Sequence, residues 1–274
     1  MHPDEFRRAG YALIDWIAAY RERAAELPVW SRVAPGTIRA QLPATPPEAP
    51  EPFAALLDDL ERIILPGLSH WQHPRFFGYF PANAALASVL GDLLSTGLGQ
   101  LGLTWQASPA LTELEEQMVD WMRQLLGLSD IWRGVIHDSA STATLVALLC
   151  ARERSTSYSQ TRGGLQAEEL PLTVYLSAQS HSSVEKAALL AGFGHANLRF
   201  IPTDERHAMS VEQLADEISA DLAYGRRPCA VVATTGTTAT TGLDPIEPIA
   251  ALCRERGLWL HVDAAMAGSA MILP

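Results

Sequence analysis

Residues 229–265, CAVVATTGTTATTGLDPIEPIAALCRERGLWLHVDAA, have the pattern of a strand, a helix and a second strand. Apolar runs occupy 229–234 and 258–262, and each has the length of a strand buried on both faces. Helical periodicity covers 245–256, where Asp244-Pro245 starts the helix and Gly257 ends it. Strands that alternate with helices in this way predict an α/β fold with parallel strands.

The same alternation extends back to residue 132. Each further element has either the short apolar run of a strand or helical periodicity. The predicted strands are 134–137, 172–177 and 197–201, and the predicted helices are 141–154, 182–191 and 210–223. The predicted fold class is therefore α/β, a parallel sheet covered by helices on both faces.

The first 81 residues have a different organisation. Amphipathic helices are predicted at 4–26 and 53–65, and between them lies LPATPPEAPEP (42–52), whose prolines exclude a helix interior and a central strand. Because two helices and an extended connector do not make a compact domain, we expect their apolar faces to pack against the main domain or a second subunit. The predicted division is 1–81 and 82–274.

Two more helices follow. An Ala/Leu/Val-rich segment at 82–96 predicts a buried helix. The next helix has Ser108 as N-cap, Pro109 at its first position and Gly127 just past its end.

Composition limits the classes of partner. The 274 residues are 48% hydrophobic and 19% charged, and 20 Lys+Arg against 31 Asp+Glu give a net charge of −11, which argues against binding to nucleic acid or to anionic membranes. No apolar run approaches the roughly 18 residues of a membrane helix. Three widely spaced cysteines predict neither a disulfide framework nor a zinc site and favour the cytoplasm. The expected partner is a small molecule or a protein.

Polar residues follow the predicted strands, at the edge where ligands of an open parallel sheet bind. The residues Asp138 to Thr142, DSAST, bring hydroxyl groups and free N–H groups to a helix N-terminus, which suits a phosphate. Simple N-capping by Ser139 or Ser141 explains the same residues without a ligand.

Three further features lie at this edge. His181 suits a planar ring, although a cap or surface position also explains it. The hydroxyl run 234–241 is either part of a ligand site or an ordinary polar loop. Asp263 enters a low-dielectric position and needs a cation; a structural ion pair or a metal-binding aspartate is the alternative.

A phosphate site, a flat ring, hydroxyl groups and one buried acid together suit a phosphorylated, cationic, planar cofactor such as pyridoxal phosphate. Competing motifs are weaker. The P-loop and the G-x-S-x-G pattern of serine hydrolases are absent, and G-x-G-x-x-G at 97–102 follows no predicted strand. No metal site is predicted.

Five ordered motifs carry a family resemblance. They are HWQHPRFFGYFP (70–81), WQASPALTELE (105–115), SASTATLVALL (139–149), AQSHSSVEKAA (178–188) and HVDAAMAGSA (261–270). The chain resembles the aromatic-L-amino-acid decarboxylase group of pyridoxal-phosphate-dependent (group II) decarboxylases. The resemblance implies the large domain of a fold type I transferase-like enzyme and a homodimer, to which the N-terminal elements contribute across the interface.

The resemblance also implies roles for individual residues. Ala140 and Ser141 would hold the cofactor phosphate, His181 would stack on its ring, and Asp263 would pair with its pyridinium nitrogen. Thr237 and Ala265 would complete the cofactor site. Substrate-binding positions are implied at Trp71, Tyr79, Phe80, Pro81 and Ala82. The catalytic residues would be His181 and Asp263. The aromatic residues argue for a flat apolar substrate, and a place in the core is their alternative explanation.

Three positions depart from the family pattern. Asp138 and Thr142 replace the usual Gly and Glu, and Met266 replaces an aromatic residue. The family's covalent lysine is expected beyond Pro274, so we expect this chain to be the N-terminal portion of a longer enzyme. Lys186 is the only lysine in the sequence, and one helical turn past His181 it should point away from the strand edge.

The expected activity is decarboxylation of an aromatic L-amino acid, such as dopa, tyrosine, tryptophan or phenylalanine, to the arylalkylamine. Alternatives are an aromatic acetaldehyde synthase, a decarboxylase of acidic or diamino acids, and an inactive dimerisation or cofactor-binding fragment. The resemblance places a histidine at 181 in decarboxylases and often another residue in aldehyde synthases.

Overall fold

The computed structural model describes residues 1–79 and 84–273. The chain divides into two compact units, 1–98 and 99–274. The first unit therefore extends past residue 81, where the sequence pattern placed the domain boundary, and it includes the helix expected at 82–96. None of the described helices combines the length and the apolar character needed to cross a bilayer.

The first unit contains the two amphipathic helices predicted from the sequence. The Glu61 carboxylate joins them, since it accepts hydrogen bonds from the Trp16 indole at 3.0 Å and from the Arg23 guanidinium at 2.6 and 2.7 Å. The helices are α1 (Pro3–Arg23), α2 (Phe53–Asp59), continued by a π-helical turn (Leu60–Ile64), and α3 (Leu86–Leu98); 3-10 turns lie at Ala24–Glu26, Arg39–Gln41 and Leu65–Gly67.

Helix α3 differs from its prediction as a buried helix. None of its residues is buried, and Leu94 is 64% exposed. Hydrophobic composition without a polar face predicts burial, but the described residues of this chain do not provide the cover. The leucines exposed on α3 are Leu86, Leu90, Leu93, Leu94 and Leu98.

The second unit is built on four parallel strands in the order β2-β1-β3-β4. Their alternation with helices confirms the predicted α/β class. Its elements are α4 (Pro109–Leu125), α5 (Ala140–Ser155), β1 (Leu172–Ser177), α6 (Ser182–Leu190), β2 (Leu198–Ile201), α7 (Val211–Ala223), β3 (Arg227–Thr234), α8 (Ile246–Arg256) and β4 (Trp259–Asp263), with 3-10 turns at Ser159–Thr161, Gly164–Ala167, His195–Asn197 and Gly268–Ile272.

Helices cover both faces of this sheet, as predicted. Val174 and Val232 pack with residues of α5 and α6, including Leu148. Tyr175 and Val231, one position along each strand, pack with α7 and α8 on the other face. This alternation follows from the two-residue period of a strand.

The strand predicted at 134–137 is absent, so that prediction was wrong. The segment pairs with no described strand, Val135 and Ile136 are more than half exposed, and the Ile136 N–H donates to the Glu115 carboxylate at 2.8 Å. A four-residue apolar run is too short to distinguish a strand from an extended loop.

Asp244 also has a role other than the predicted start of α8. Its carboxylate accepts from the Met209 N–H at 2.7 Å and from the Thr234 N–H at 2.8 Å, so it braces the end of β3. Pro245 occupies the N-cap position, and Gly257 ends the helix in the left-handed conformation, as predicted.

Candidate active site

The turn predicted to hold phosphate is the N-terminus of α5. Ser139 is the N-cap, and its Oγ accepts from the Thr142 N–H at 3.3 Å. The N–H groups of Ala140 and Ser141, the first two helical residues, donate to no acceptor among the described residues. The capping interpretation is therefore correct for Ser139, and it leaves two N–H groups at a positive helix end available to an anion.

Asp138 places a carboxylate beside this turn. The Thr142 hydroxyl is the main cause that holds the pKa of Asp138 below its usual value. The acid is therefore ionised at neutral pH, and its charge opposes that of an anion bound at the helix end.

His181 is the N-cap of α6. Its Nδ1 accepts from the Ser183 N–H at 3.2 Å and lies 2.8 Å from Ser183 Oγ. Because Nδ1 accepts a backbone hydrogen bond, a neutral ring carries its proton on Nε2. The ring is exposed, so the cap fixes its position and leaves a face free for a flat ligand.

A groove of about 270 Å³ separates α5 from α6. Ser141 and His181 line it together, so the predicted phosphate and ring residues meet. Lys186 lines the same groove. This placement between α5 and α6 does not test the expectation that Lys186 points away from the strand edge, which stays a prediction.

Asp263 is the last residue of β4 and is 9% exposed. Its Oδ1 accepts from the Ala265 N–H at 3.2 Å. Within residues 1–79 and 84–273 it joins no ion pair and no group of side chains that could hold a metal ion. The described contacts thus support neither the structural ion pair nor the metal site as its explanation, and the buried charge still needs a cation.

Sequence reasoning missed His261 and Thr144. His261 Nε2 lies 3.2 Å from Thr144 Oγ1, which links β4 to α5. Burial lowers the pKa of His261, and the nearby Asp263 opposes this shift. The H-x-D spacing of His261 and Asp263 puts both side chains on one face of β4 and was the available signal.

Thr237 is buried within its own loop. Its Oγ1 lies 2.6 Å from Thr240 Oγ1 and accepts from the Gly242 N–H at 2.9 Å, so the hydroxyl closes the loop. Its contact with a cofactor stays a prediction, as does that of the exposed Ala265.

The same loop packs closely on the residues that follow Asp263. Gly236 has φ +84°, and a Cβ there would lie 3.0 Å from the Cβ of Ala267. Two constraints therefore require glycine at position 236: the positive φ of the backbone and the close approach of residues 264–268.

Two buried hydroxyl oxygens at this edge have no hydrogen-bond partner in the described part of the chain. They are Ser180 Oγ, just before His181, and Thr234 Oγ1, at the end of β3. Such orphaned groups are rare in folded proteins and call for an explanation.

The predicted substrate residues lie in the first unit. Trp71 and Tyr79 stack with ring centroids 5.6 Å apart and planes 14° apart, and Trp71 also stacks on Phe76 at 5.0 Å. Trp71 is 39% and Tyr79 63% exposed, which does not fit the alternative that they are core residues. Phe80, Pro81 and Ala82 lie outside the described residues.

Comparison with known proteins gives consistent matches. The model of the pyridoxal-dependent decarboxylase conserved domain matches residues 35–274. Aromatic-L-amino-acid decarboxylase of Bos taurus is 43% identical over 100% of this chain and 58% of its own length. Histidine decarboxylase of Drosophila melanogaster is 42% identical over 98% of this chain and 33% of its own length.

Solved structures agree. Catharanthus roseus tryptophan decarboxylase, in complex with L-tryptophan, and Rhodiola rosea 4-hydroxyphenylacetaldehyde synthase each match with a TM-score of 0.94 and 37% identity, over 100% of this chain and 59% of theirs. This chain thus spans just under three fifths of the length of most of these relatives. The match to the domain model, together with the buried acid and the helix end at one sheet edge, shows that the chain belongs to the pyridoxal-dependent decarboxylase family.

Proposed function

We propose that the chain forms the cofactor-binding part of a pyridoxal-phosphate-dependent decarboxylase that converts an aromatic L-amino acid to its arylalkylamine and carbon dioxide. The observation that carries this proposal is Asp263, a buried carboxylate with no cationic partner among the described residues, at the sheet edge that also holds His181.

The residues present fit pyridoxal phosphate in its three chemical parts. The free N–H groups of Ala140 and Ser141 suit the phosphate. The exposed face of His181 suits the ring, and Asp263 suits a protonated ring nitrogen. The orphaned hydroxyl groups of Ser180 and Thr234 are further polar atoms with no described partner.

When bound, the cofactor supplies an electron sink for the electron pair left by the broken Cα–carboxylate bond. Asp263 holds a proton on the ring nitrogen, because a carboxylate beside that nitrogen favours its charged form. The N-terminus of α5 binds the phosphate and fixes the ring's position. His181, held by its cap to Ser183, keeps its remaining proton on Nε2 and orients the substrate carboxylate.

An aromatic substrate is supported by the stacked, exposed rings of Trp71 and Tyr79. Relatives with similar sequence identity are named for different amino acids, including histidine. An assay with several amino acids therefore identifies the substrate. The test is release of carbon dioxide by the full-length protein from dopa, tyrosine, tryptophan, phenylalanine, histidine and glutamate. Release from glutamate alone would contradict the aromatic assignment.

The buried acid has a matched control. Asp263→Asn should abolish decarboxylation and weaken pyridoxal phosphate binding, whereas Asp216→Asn, an exposed acid on α7, should change neither. Equal effects of the two substitutions would show that general charge, and not the acid at 263, supports activity.

An aldehyde synthase is the second candidate, favoured by the Rhodiola rosea structure. The two are separated by their products, since the synthase consumes dioxygen and water and yields an aldehyde, carbon dioxide, ammonia and hydrogen peroxide, whereas the decarboxylase yields the amine and carbon dioxide. Histidine at 181 supports the amine.

We also propose a homodimer. The exposed leucines of α3 and the exposed Phe6 and Tyr11 of α1 give the first unit apolar surface of the kind that subunit interfaces cover. Light scattering on the full-length protein should give twice the chain mass, and the chain mass would contradict the dimer.

A further inference from the structure

Thr234 holds a buried hydroxyl group that the chain itself does not use. It is the last residue of β3 and is 3% exposed, and its backbone N–H donates to Asp244. Its Oγ1 has no hydrogen-bond partner among the described residues. A buried hydroxyl of this kind costs stability, so its retention needs a reason.

The sheet register places this hydroxyl beside Asp263. Thr234 and Asp263 are Cα partners in the β3–β4 pairing. Paired residues of neighbouring parallel strands point to the same face, and the strands lie about 4.8 Å apart. The shared face is the one that α5 covers, because Val232, two residues before Thr234, packs there with Leu148.

The carboxylate of Asp263 has capacity for another donor. Its Oδ1 accepts from the Ala265 N–H, and each oxygen of an ionised carboxylate has two acceptor sites. No described side chain donates to Oδ2. One torsion, χ1, moves the Thr234 hydroxyl between staggered positions on the face that it shares with Asp263.

We propose that Thr234 is a positioning residue for Asp263, whose hydroxyl donates to the carboxylate when that carboxylate pairs with a cationic heteroaromatic ring nitrogen. The inference rests on the proposed function and adds a residue to it. The hydroxyl is unsatisfied in the free chain and satisfied in the bound state, so ligand binding recovers the hydrogen bond. The same donor occupies one oxygen of the Asp263 carboxylate and directs the other oxygen to the ligand.

Thr234→Val removes the hydroxyl and keeps the shape, and Thr234→Ser keeps the hydroxyl. The measurements are the dissociation constant for pyridoxal phosphate, by tryptophan fluorescence, and urea unfolding without cofactor, both on the full-length protein. Thr234→Val should bind about fivefold to tenfold more weakly, the loss expected of one net hydrogen bond. Its unfolding midpoint without cofactor should be unchanged or higher, since an orphaned group has been removed. Thr234→Ser should bind like the wild type.

A packing role gives the opposite result. If Thr234→Val unfolds more easily and binds the cofactor like the wild type, the proposal is overturned. If the valine variant does not fold, Thr234→Ala takes its place, since it removes the same hydroxyl. Its dissociation constant for pyridoxal phosphate is measured and interpreted in the same way.

A double-mutant cycle shows whether Thr234 acts through Asp263. In an Asp263→Asn background the valine substitution should cost little further affinity, and fully additive losses would contradict the proposal. If Asp263→Asn weakens binding and Thr234→Val does not, the inference fails and the proposed function stands. If the wild type does not bind pyridoxal phosphate, both fail.

Discussion

The Thr144 hydroxyl on α5 lies 3.2 Å from Nε2 of His261 on β4, and this contact fixes the helix that offers its N-terminus to the strand that carries Asp263. Both residues fall within motifs of the family resemblance, 139–149 and 261–270, but the sequence alone assigned neither of them a role.

Thr144→Val should destabilise the protein by about 1–3 kcal/mol, because the isosteric change leaves the His261 nitrogen buried without its partner. Urea unfolding measures the loss. Ser219→Ala is the control, since Ser219 lies exposed on α7 and bonds only to the Ala215 carbonyl. Equal destabilisation by both substitutions would mean that the Thr144–His261 contact contributes nothing.

Stability should fall as the pH drops below about 6.5, the usual pKa of histidine. Burial lowers the pKa of His261 in the folded state, so the unfolded state binds the proton more readily, and stability is lost as the pH falls through this window. His70 shifts in the same direction, also chiefly through burial. His261→Gln should therefore reduce the slope of unfolding free energy between pH 7.5 and 5.5 without removing it. An unchanged slope would contradict the assignment of this pH dependence to His261.

Asp221 anchors β1, β2 and α7. Its carboxylate accepts from Tyr175 at 2.8 Å, Arg199 at 2.8 Å and Arg226 at 3.0 Å. Asp221→Ala should cost about 3–5 kcal/mol, because it leaves the Arg199 guanidinium, whose side chain is only 13% exposed, without its main anionic partner. Glu217→Ala is the control, since Glu217 is half exposed and only 4.0 Å from Arg199.

This effect should depend on pH. Burial favours the protonated acid, but the hydrogen bonds from Arg199, Tyr175 and Arg226 outweigh it and lower the pKa of Asp221. Its contribution is therefore complete above the unfolded pKa of about 3.9 and is lost as the pH falls through the lower folded value. The difference between wild type and Asp221→Ala, measured by denaturation, should be constant from pH 5 to 7. A difference that already shrinks at pH 6 would show that another group titrates.

Gly236→Ala should be more damaging than Gly225→Ala. Both glycines have positive φ, +84° and +71°, but a Cβ at Gly225 meets open space, whereas at Gly236 it approaches Ala267. Gly225→Ala should cost about 1 kcal/mol for the conformation alone, and Gly236→Ala about 2 kcal/mol or more. Thermal unfolding separates the two, and equal losses would show that the close approach carries no energy.

Much of the second unit was predictable because its signals are local. The apolar runs of β1, β3 and β4 and the cap residues Ser139 and Gly257 each act within a few residues, and the structure confirms them. The strand prediction at 134–137 was wrong, because an extended apolar run becomes a strand only if another strand pairs with it. The predicted role of Asp244 at the start of α8 was wrong for a related reason. Its hydrogen-bond partners, Met209 and Thr234, come from other segments of the chain.

The sequence alone determined the parallel α/β class, the approximate positions of the helices and the residues that follow β1, β3 and β4, because period and capping are encoded by neighbouring residues. Only the tertiary structure decided that Lys186 shares a groove with Ser141, that Thr144 reaches His261 and that Thr234 stands beside Asp263. These relationships depend on which elements become neighbours, and the physical reason is that burial and register act between segments far apart in the chain.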